Sequence, residues 1–266
     1  MLIVGELINA SRKEIAGLIR SRNREAIQKI AMNQVQNGAD FIDVNAGIFM
    51  GEEPECLKWL VETVQAAVDA PCCIDSPDPV AVAAALSVHK GPPAMINSIS
   101  LEENRYAPLL SVVAGTDLNV VALCMSDDGM PELLEERLSR ADRLIHGLVQ
   151  HNVALNQIYV DCLLQPVSTD PQSGRIFLDA VGHLMRTYDG VHTICGLSNI
   201  SYGLPLRRLL NRTFMSMAVA HGLDAAILDP LDREMMSAIF AARTLVAQDD
   251  FCMDYLRAFR EKRIEG

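Results

Sequence analysis

The sequence has little lysine, few aromatic residues and no long apolar run. Among its 266 residues, Lys and Arg together number 23 and Asp and Glu number 34, so the formal net charge is −11. Nucleic-acid binding depends on clustered cations that neutralise phosphates, and this balance argues against it. No apolar stretch approaches the ~20 residues of a membrane span, and the early "LIV" is too short for a signal peptide. We therefore expect neither nucleic acid nor membrane as a partner.

Paired cysteine spacing is also missing. The seven cysteines form no short-domain disulfide pattern, which is typical of a reduced, cytoplasmic protein. Adjacent Cys72 and Cys73 would point to opposite faces of a strand, so they are not expected to share one metal ion. Packing in the interior is the simpler interpretation.

What the sequence does contain is one pattern that occurs eight times. Short apolar runs alternate with longer segments of helical period, and this alternation predicts a parallel sheet with helical crossovers. The predicted strands are Leu2–Glu6, Phe41–Asn45, Cys72–Asp75, Ala94–Ser98, Asn119–Cys124, Ile158–Cys162, His192–Ser198 and Ala225–Asp229. We predict a single α/β domain over residues 1–266, a (β/α)8 TIM barrel, with a helical tail at about 249–266. A doubly wound open sheet is the alternative.

The helices between these strands are predicted from periodicity and end signals. One apolar stripe follows Pro54, and another comprises Leu134, Leu138, Ala141, Leu144, Ile145 and Leu148. The "NGAD" and "HGLD" segments place Gly38 and Gly222 where a helix commonly ends in a left-handed residue.

Nearly every predicted strand finishes on or near a carboxylate or an amide. The residues are Glu6, Asn9, Asp43, Asn45, Asp75, Asn97, Asp127, Asp161, Asn199 and Asp229. Functional groups of such barrels lie at this end of the strands. Alternation places Asp43 with Asn45, Cys73 with Asp75, Tyr159 with Asp161, and Cys195 and Leu197 with Asn199 on common faces. Asp127 and Asp229 are interpreted as ordinary turn residues.

A set of acceptors without a strand-end His, Lys or Arg favours a neutral ligand rich in N–H donors. Carboxylates accept paired N–H bonds from an amidine-like edge, and Asn complements an amide edge. The loops after the last two strands lack a glycine-rich phosphate site. Catalytic zinc is disfavoured because no His ends a strand, whereas a carboxylate Mg²⁺ site stays open as an alternative.

Seven segments together resemble the methyltetrahydrofolate:corrinoid-protein methyltransferases, members of the pterin-binding barrel superfamily that also contains dihydropteroate synthase. They are "LIVGELIN", "FIDVNAG", "CIDS", "MINSIS", "YVDCLLQP", "CGLSNIS" and "LNRTFMSMA". The resemblance covers almost the whole chain and implies a cytoplasmic, homodimeric barrel that binds folate. Leu7 and Arg208 depart from the family pattern, since a basic residue and a proline, respectively, are expected there.

The resemblance also assigns residues to the site. It implies that Asp75, Asn97 and Asp161 hold the donor edge of the pterin. Gly196, Ser198 and Asn199 would line the cavity near the reacting nitrogen, N5, and Arg207 would shape its rim. Asp43 and Asn45 are weaker members of the set. No metal ligand is implied.

The implied reaction moves a methyl group between N5 of tetrahydrofolate and the cobalt of a corrinoid (cobalamin), in either direction. Asn199 is predicted to donate a hydrogen bond to N5, aided by water held on Asp75 or Asp161. The chain has no D-x-H-x-x-G cobalamin motif, so the corrinoid is expected on a separate protein that docks transiently. A dihydropteroate synthase, which usually has G-x-S-R-K where this chain has "GLSNIS", and a non-catalytic folate carrier are the alternatives.

Overall fold

Eight parallel strands form within residues 1–264, the part of the chain that this computed structural model describes. They are β1 Leu2–Asn9, β2 Phe41–Asn45, β3 Cys72–Asp75, β4 Met95–Ser100, β5 Asn119–Leu123, β6 Ile158–Asp161, β7 His192–Thr193 and β8 Ala225–Leu228. Six strand pairs follow chain order, from β1–β2 to β6–β7, and β1 also pairs with β8. The remaining gap is bridged where Gly196 pairs with Ile227, whose N–H donates to the Cys195 carbonyl at 2.9 Å. The sheet therefore closes into the predicted (β/α)8 barrel rather than an open sheet.

Helices cover the outside of this barrel. Within the described residues they are α1 Lys13–Arg20, α2 Arg24–Gln36, α3 Glu53–Gln65, α4 Pro79–Leu86, α5 Glu103–Val113, α6 Leu134–Gln150, α7 Ser173–Thr187, α8 Arg207–Ala220, α9 Arg233–Leu245 and α10 Met253–Arg260. Of the predicted tail, Asp250–Cys252 is a 3-10 helix and α10 follows it, whereas residues 265 and 266 lie outside the described residues. None of the helices described here has the length and apolar character needed to cross a membrane.

Two predicted helix ends have the expected backbone. Gly38 follows α2 with φ +99°, and Gly222 follows α8 with φ +106°. A side chain at such a φ is strained, so glycine lets each helix stop and the chain turn into the next strand. Pro54 occupies the first turn of α3, where its missing N–H leaves no bond unmade.

One side chain from each strand or its direct continuation builds an apolar floor inside the barrel. The floor consists of Val4, Phe41, Cys73, Met95, Val121, Tyr159, Ile194 and Ala225, all buried. Because side chains alternate along a strand, the residues two positions later on several strands also point inward, one layer higher. That layer is polar, and the floor separates it from the opposite end of the barrel.

The paired cysteines illustrate the alternation. Cys73 lies in the floor, whereas Cys72 packs in the outer core between strands and helices, and both are fully buried. Burial raises the pKa of the Cys72 thiol to about 12. Packing is therefore the role of both cysteines, as the sequence predicts.

Strand β7 is shorter than predicted. The sequence predicts a strand from His192 to Ser198, but regular pairing ends at Thr193 and Leu197–Ser201 forms a 3-10 helix. The expected common face of Cys195, Leu197 and Asn199 is therefore wrong, because period-two alternation does not hold in a 3-10 helix. In contrast, β1 is longer than predicted and runs to Asn9, with a register shift between Gly5 and Ile8.

Gly5 makes this shifted strand possible. Gln34 of α2 is fully buried, and its Oε1 accepts a hydrogen bond from the Leu7 backbone N–H at 3.0 Å. A Cβ atom on Gly5 would lie 2.5 Å from that Oε1 and 3.0 Å from the Gln34 Cδ. Only glycine lets the amide reach the strand. The unexpected Leu7 thus contributes its backbone to this contact.

Replacing Gly5 with Ala is expected to lower the free energy of unfolding by about 1–3 kcal/mol, because the new methyl group displaces a buried amide. Urea denaturation measures the loss. A Cβ atom on Gly17, inside α1, would have nothing within 4 Å of it. Gly17→Ala is therefore the matched control and is expected to retain or raise stability, by up to ~1 kcal/mol. Equal effects of the two substitutions would contradict the proposed contact.

Candidate functional site

Three acceptor side chains lie in register on neighbouring strands above the apolar floor. Asn45 of β2 pairs with Asp75 of β3, and Asp75 pairs with Asn97 of β4. The Asn45 Nδ2 donates to the Asp75 Oδ2 at 2.9 Å and also to its carbonyl oxygen at 3.3 Å. The Asn45 Oδ1 in turn accepts from the Gly47 N–H at 3.1 Å. Asn45 thus orients Asp75 and leaves that carboxylate one oxygen for a ligand.

Asp43 lies deeper, one inward position below Asn45. Only 2% of its surface is exposed, and its Oδ1 is buried without a hydrogen-bond partner. Burial, followed by the nearby Asp75 charge, holds the pKa of Asp43 well above its usual range. Burial also raises the pKa of Asp75 to about 6, against the lowering effect of the Asn45 amide. Of the two carboxylates, Asp75 is therefore the one that ionises near neutral pH, while Asp43 holds a proton beneath it.

Asp161 ends β6 on the far side of the same mouth. Its Oδ1 accepts a hydrogen bond from the Leu163 N–H at 2.8 Å, which fixes the carboxylate against the chain that follows it. Burial raises the pKa of Asp161 to about 6, opposed by that hydrogen bond and by the Arg137 charge. Asp75 at the end of β3 and Asp161 at the end of β6 are thus two carboxylates, on separate sides of the barrel mouth, that can accept hydrogen bonds from a ligand.

The residues predicted near the reacting nitrogen follow β7. Ser198 and Asn199 are both exposed on the Leu197–Ser201 3-10 helix, and a Cβ atom on Gly196 would lie 3.9 Å from the Asn199 Nδ2. Arg207, at the start of α8, donates from Nη2 to the Ser198 carbonyl at 2.7 Å and from Nε to the Ser201 Oγ at 3.1 Å. The guanidinium therefore fixes the segment that presents Asn199.

Glu6 is a site-facing residue to which the sequence analysis gives no role. With Ser198 and Asp229 it lines a small cavity of about 90 Å³ between β1, β8 and the 3-10 helix. Its Oε1 accepts from the Arg12 Nη2 at 2.9 Å, and burial raises its pKa. Its position at the end of a predicted strand is the feature of the sequence that could have indicated a place in the site.

Three other strand-end residues have structural roles. The Asn9 Oδ1 accepts from the Ser11 N–H at 3.0 Å, and the Asp229 Oδ1 accepts from the Leu231 N–H at 2.9 Å. The Asp127 Oδ2 accepts from the Glu103 N–H at 3.0 Å, at the start of α5. These bonds stabilise turns and a helix end. The interpretation of Asp127 and Asp229 as turn residues is confirmed.

Two buried arginines on α6 were missed from the sequence. Arg137 is 1% exposed and donates to the carbonyl oxygens of Cys162 and Leu163, directly after β6. Arg140 donates to the Gly129 carbonyl at 2.6 Å, in the loop after β5. The sequence does contain an indication that Arg137 is buried, because it precedes Ala141 by four residues and therefore lies on the apolar face of the helix. Arginine is usually placed at the surface, which concealed it.

In residues 1–264 no group of three or more His, Cys, Asp or Glu side chains is arranged to hold a metal ion. Arg208, the second departure from the family pattern, is exposed at the start of α8.

Replacing Asp43 with Asn tests the protonated carboxyl. Because the folded-state pKa of Asp43 is raised, the folded protein binds a proton that the unfolded chain releases, so its stability falls as pH rises above the usual Asp range. Asp43→Asn removes this penalty. Its thermal midpoint is expected to exceed that of the wild type by a few degrees at pH 8 and to converge with it near pH 4. Asp117→Asn, at an exposed carboxylate, is the control. A pH-independent difference would contradict the assignment.

Comparison with known proteins identifies the family of this chain. The family described as pterin binding enzyme matches residues 5–229. The methylcorrinoid:tetrahydrofolate methyltransferase of Eubacterium limosum is 35% identical over 266 residues, which cover 99% of this chain and 98% of that protein. The methionine synthase of Mycobacterium leprae is 28% identical over 241 residues, 85% of this chain but 20% of that protein.

Solved structures share the fold at low identity. The dihydropteroate synthase from Xanthomonas albilineans in complex with 7,8-dihydropteroate superimposes with a TM-score of 0.71 at 17% identity, covering 94% of this chain and 93% of that one. The enzyme from Coxiella burnetii in complex with pteroic acid gives 0.71 at 12% identity, with 93% and 94% covered. The chain belongs to the pterin-binding enzymes and, among them, to the methyltetrahydrofolate:corrinoid-protein methyltransferase family.

Proposed function

We propose that this protein transfers a methyl group between N5 of tetrahydrofolate and the cobalt of a corrinoid carried by a separate protein. The name of the 35% identical relative puts methylcorrinoid first and tetrahydrofolate second, which favours methylation of the folate as the physiological direction. The observation that carries the proposal is the polar layer above the floor, where Asn45, Asp75 and Asn97 lie side by side.

This layer suits the donor edge of a pterin. The remaining oxygen of an ionised Asp75 or Asp161 can accept an N–H bond from that edge, while Asn97 can pair with its amide. The buried, unpartnered Oδ1 of Asp43 offers a further polar atom beneath them. Folate binding would thus use the desolvated carboxyl groups of the free barrel.

The proton that leaves N5 defines the roles of the carboxylates. Methylation of tetrahydrofolate replaces the hydrogen on N5, so one proton must reach water or a protein base. Asp75 and Asp161, with pKa values of about 6, are ionised at neutral pH and can receive it through ordered water. In the reverse direction the same groups would return the proton as the methyl group leaves.

Asn199 is proposed to act at N5 itself. It lies on an exposed segment that Arg207 fixes through the Ser198 carbonyl, and its amide can donate or accept as N5 changes charge. Gly196 borders the amide, since a Cβ atom there would lie 3.9 Å from its Nδ2, an ordinary van der Waals distance. Ser198 would contribute mainly through its backbone.

The partner would approach over the barrel mouth. Exposed apolar side chains occur on several of the connections that follow strands, including Met50 at 92% exposure and Leu206 at 78%, which suits a protein partner. When it is bound, the corrinoid supplies the cobalt that exchanges the methyl group. The homodimer and the cytoplasmic location stay predictions from the resemblance.

Dihydropteroate synthase chemistry is disfavoured by the residue that follows Ser198. That family usually has Arg and Lys at this point, whose cations hold an anionic substrate, whereas this chain has Asn199 and Ile200. Arg207 does not replace them, because its guanidinium is occupied by the Ser198 carbonyl and the Ser201 hydroxyl. A non-catalytic folate carrier would bind folate through the same polar layer, and it would differ from the proposed enzyme only in transferring no methyl group.

Two incubations under anaerobic conditions test the proposal. Purified protein is given tetrahydrofolate with methylcobalamin, or methyltetrahydrofolate with Co(I) cobalamin, and the cobalt spectrum is followed. We expect transfer in both directions at rates well above those of protein-free mixtures. Folate binding without transfer in either mixture would indicate a carrier, and synthesis of dihydropteroate from its two precursors would indicate the synthase.

Asn199→Ala is expected to slow methyl transfer at least tenfold while changing the dissociation constant of tetrahydrofolate by less than threefold. The reason is that its amide stabilises charge at N5 in the transition state rather than holding the ring. Single-turnover kinetics and calorimetry measure the two quantities. Gln150→Ala removes an exposed amide at the end of α6 and is the control. Equal losses of affinity and rate would refute the catalytic role.

A further inference from the structure

The C-terminal end of β6 is held from behind by a buried charge. Arg137 lies on the first turn of α6, outside the strands, and is among the largest fully buried side chains of the protein. Its guanidinium donates to the carbonyl oxygens of Cys162 and Leu163, the two residues that follow Asp161. Its Nε is buried without a partner. A buried cation bonded to carbonyls rather than to a carboxylate is costly, so a compensating function is expected.

A short chain of contacts connects this arginine to the site. The Leu163 carbonyl accepts from Arg137, while the Leu163 N–H donates to the Asp161 Oδ1 at 2.8 Å. Leu163 also has a left-handed backbone with φ +58°, unusual for a residue with a branched side chain. The two hydrogen bonds on either side of this residue hold it there. The direction of the Asp161 carboxylate therefore depends on the arginine.

The charge acts in the same direction as the hydrogen bonds. Burial raises the pKa of Asp161, and the Arg137 charge opposes that rise. The other titratable groups that face this pair are Cys124 at the end of β5, Cys162, Cys195 after β7, and Asp170 in the loop before α7. A hydrogen bond with Cys162 and burial raise the pKa of Cys124, and burial raises that of Cys195, so these thiols are neutral. Among the groups named here, Arg137 therefore supplies the positive charge that acts on Asp161.

We propose that Arg137 is a positioning residue that fixes the Asp161 carboxylate and keeps it ionised, so that the barrel can bind the donor edge of its ligand at neutral pH. The inference rests on the proposed function for the identity of the ligand, tetrahydrofolate. It assigns a role to a buried side chain that contacts the backbone directly after Asp161.

Arg140 provides a matched comparison. It is on the same helix, three residues later, is also buried, and donates to the Gly129 carbonyl at 2.6 Å and the Cys124 carbonyl at 3.5 Å. These carbonyls follow β5. The Cys124 N–H donates to the Asp161 main-chain carbonyl at 2.9 Å, so this chain of contacts reaches the backbone of Asp161 but not its carboxylate. Loss of either arginine removes a buried cation near a strand end, and only one of the losses is expected to alter the site.

The test compares Arg137→Gln, Arg137→Lys and Arg140→Gln by calorimetric titration with tetrahydrofolate from pH 5 to 8. Wild-type affinity should fall as pH decreases through the pKa of Asp161. Arg137→Gln loses the charge, so this fall should begin at higher pH; for a shift of one pKa unit, affinity should drop about tenfold at pH 5 and only about twofold at pH 7. Arg137→Lys should keep the wild-type pH profile, and Arg140→Gln should keep it even if its melting temperature falls. Arg137→Met replaces the Gln variant if that variant does not fold.

The carboxyl titration of Asp161 in the free protein, followed by carbon NMR with Asp161→Asn for assignment, gives a readout without folate. It should move to higher pH in Arg137→Gln alone. An unmoved titration, or the same shift in Arg140→Gln, would overturn the role of Arg137. A wild-type protein that binds no tetrahydrofolate at any pH would instead refute the proposed function, whatever the titration shows.

Discussion

Side-chain alternation along parallel strands is the constraint on which the rest of this molecule depends. Each strand contributes one apolar residue to a floor, and the next inward position on β2, β3, β4 and β6 is a carboxylate or an amide. The floor gives the barrel its cohesion and excludes water from below. The layer above it is consequently in a medium where hydrogen bonds and charges count for more than they do in water.

That medium explains why the site is electrostatically strained without a ligand. Asp43, Asp75 and Asp161 all have raised pKa values, for which burial is the first cause. A fold selected only for stability would have placed apolar residues at these points. Grouped desolvated carboxyl groups are instead typical of sites whose partner supplies the missing donors. The protein then supports them from outside, through the Asn45 amide and through helix α6.

Much of the fold could be predicted from the sequence because its signals are local. Strands β2 and β3 begin and end as predicted, since their apolar runs stop at a polar residue that also points inward. The prediction for β7 is wrong because the apolar residues Ile194 to Leu197 serve the closure of the barrel rather than a regular ladder. Closure is a property of the whole sheet, and no local pattern encodes it.

The candidate site divides in the same way. Asp75 and Asp161 could be found because they end strands, and Asn97 because it lies near the predicted end of β4, which in the structure continues to Ser100. The register places Asp75 beside Asn97. Arg137 could not be recognised, because its role depends on which carbonyl groups lie behind a helix in three dimensions. The burial of an arginine becomes clear only in the assembled structure. A single sequence shows no more than its position on the apolar face of a helix.

The irregular segment from Leu197 to Ser201 lies outside the regular strands of the sheet. Beyond the bridge at Gly196 it contributes no strand to the sheet. The Arg207 guanidinium on α8 and the Val167 N–H, which donates to the Ile200 carbonyl at 3.1 Å, attach it to the rest of the mouth. Its exposed residues, Ser198 and Asn199, can be exchanged without disturbing strand register or the apolar floor. The barrel fold can therefore be kept while the exposed residues of this short segment vary, and structures that share less than a fifth of their residues with this chain do keep that fold.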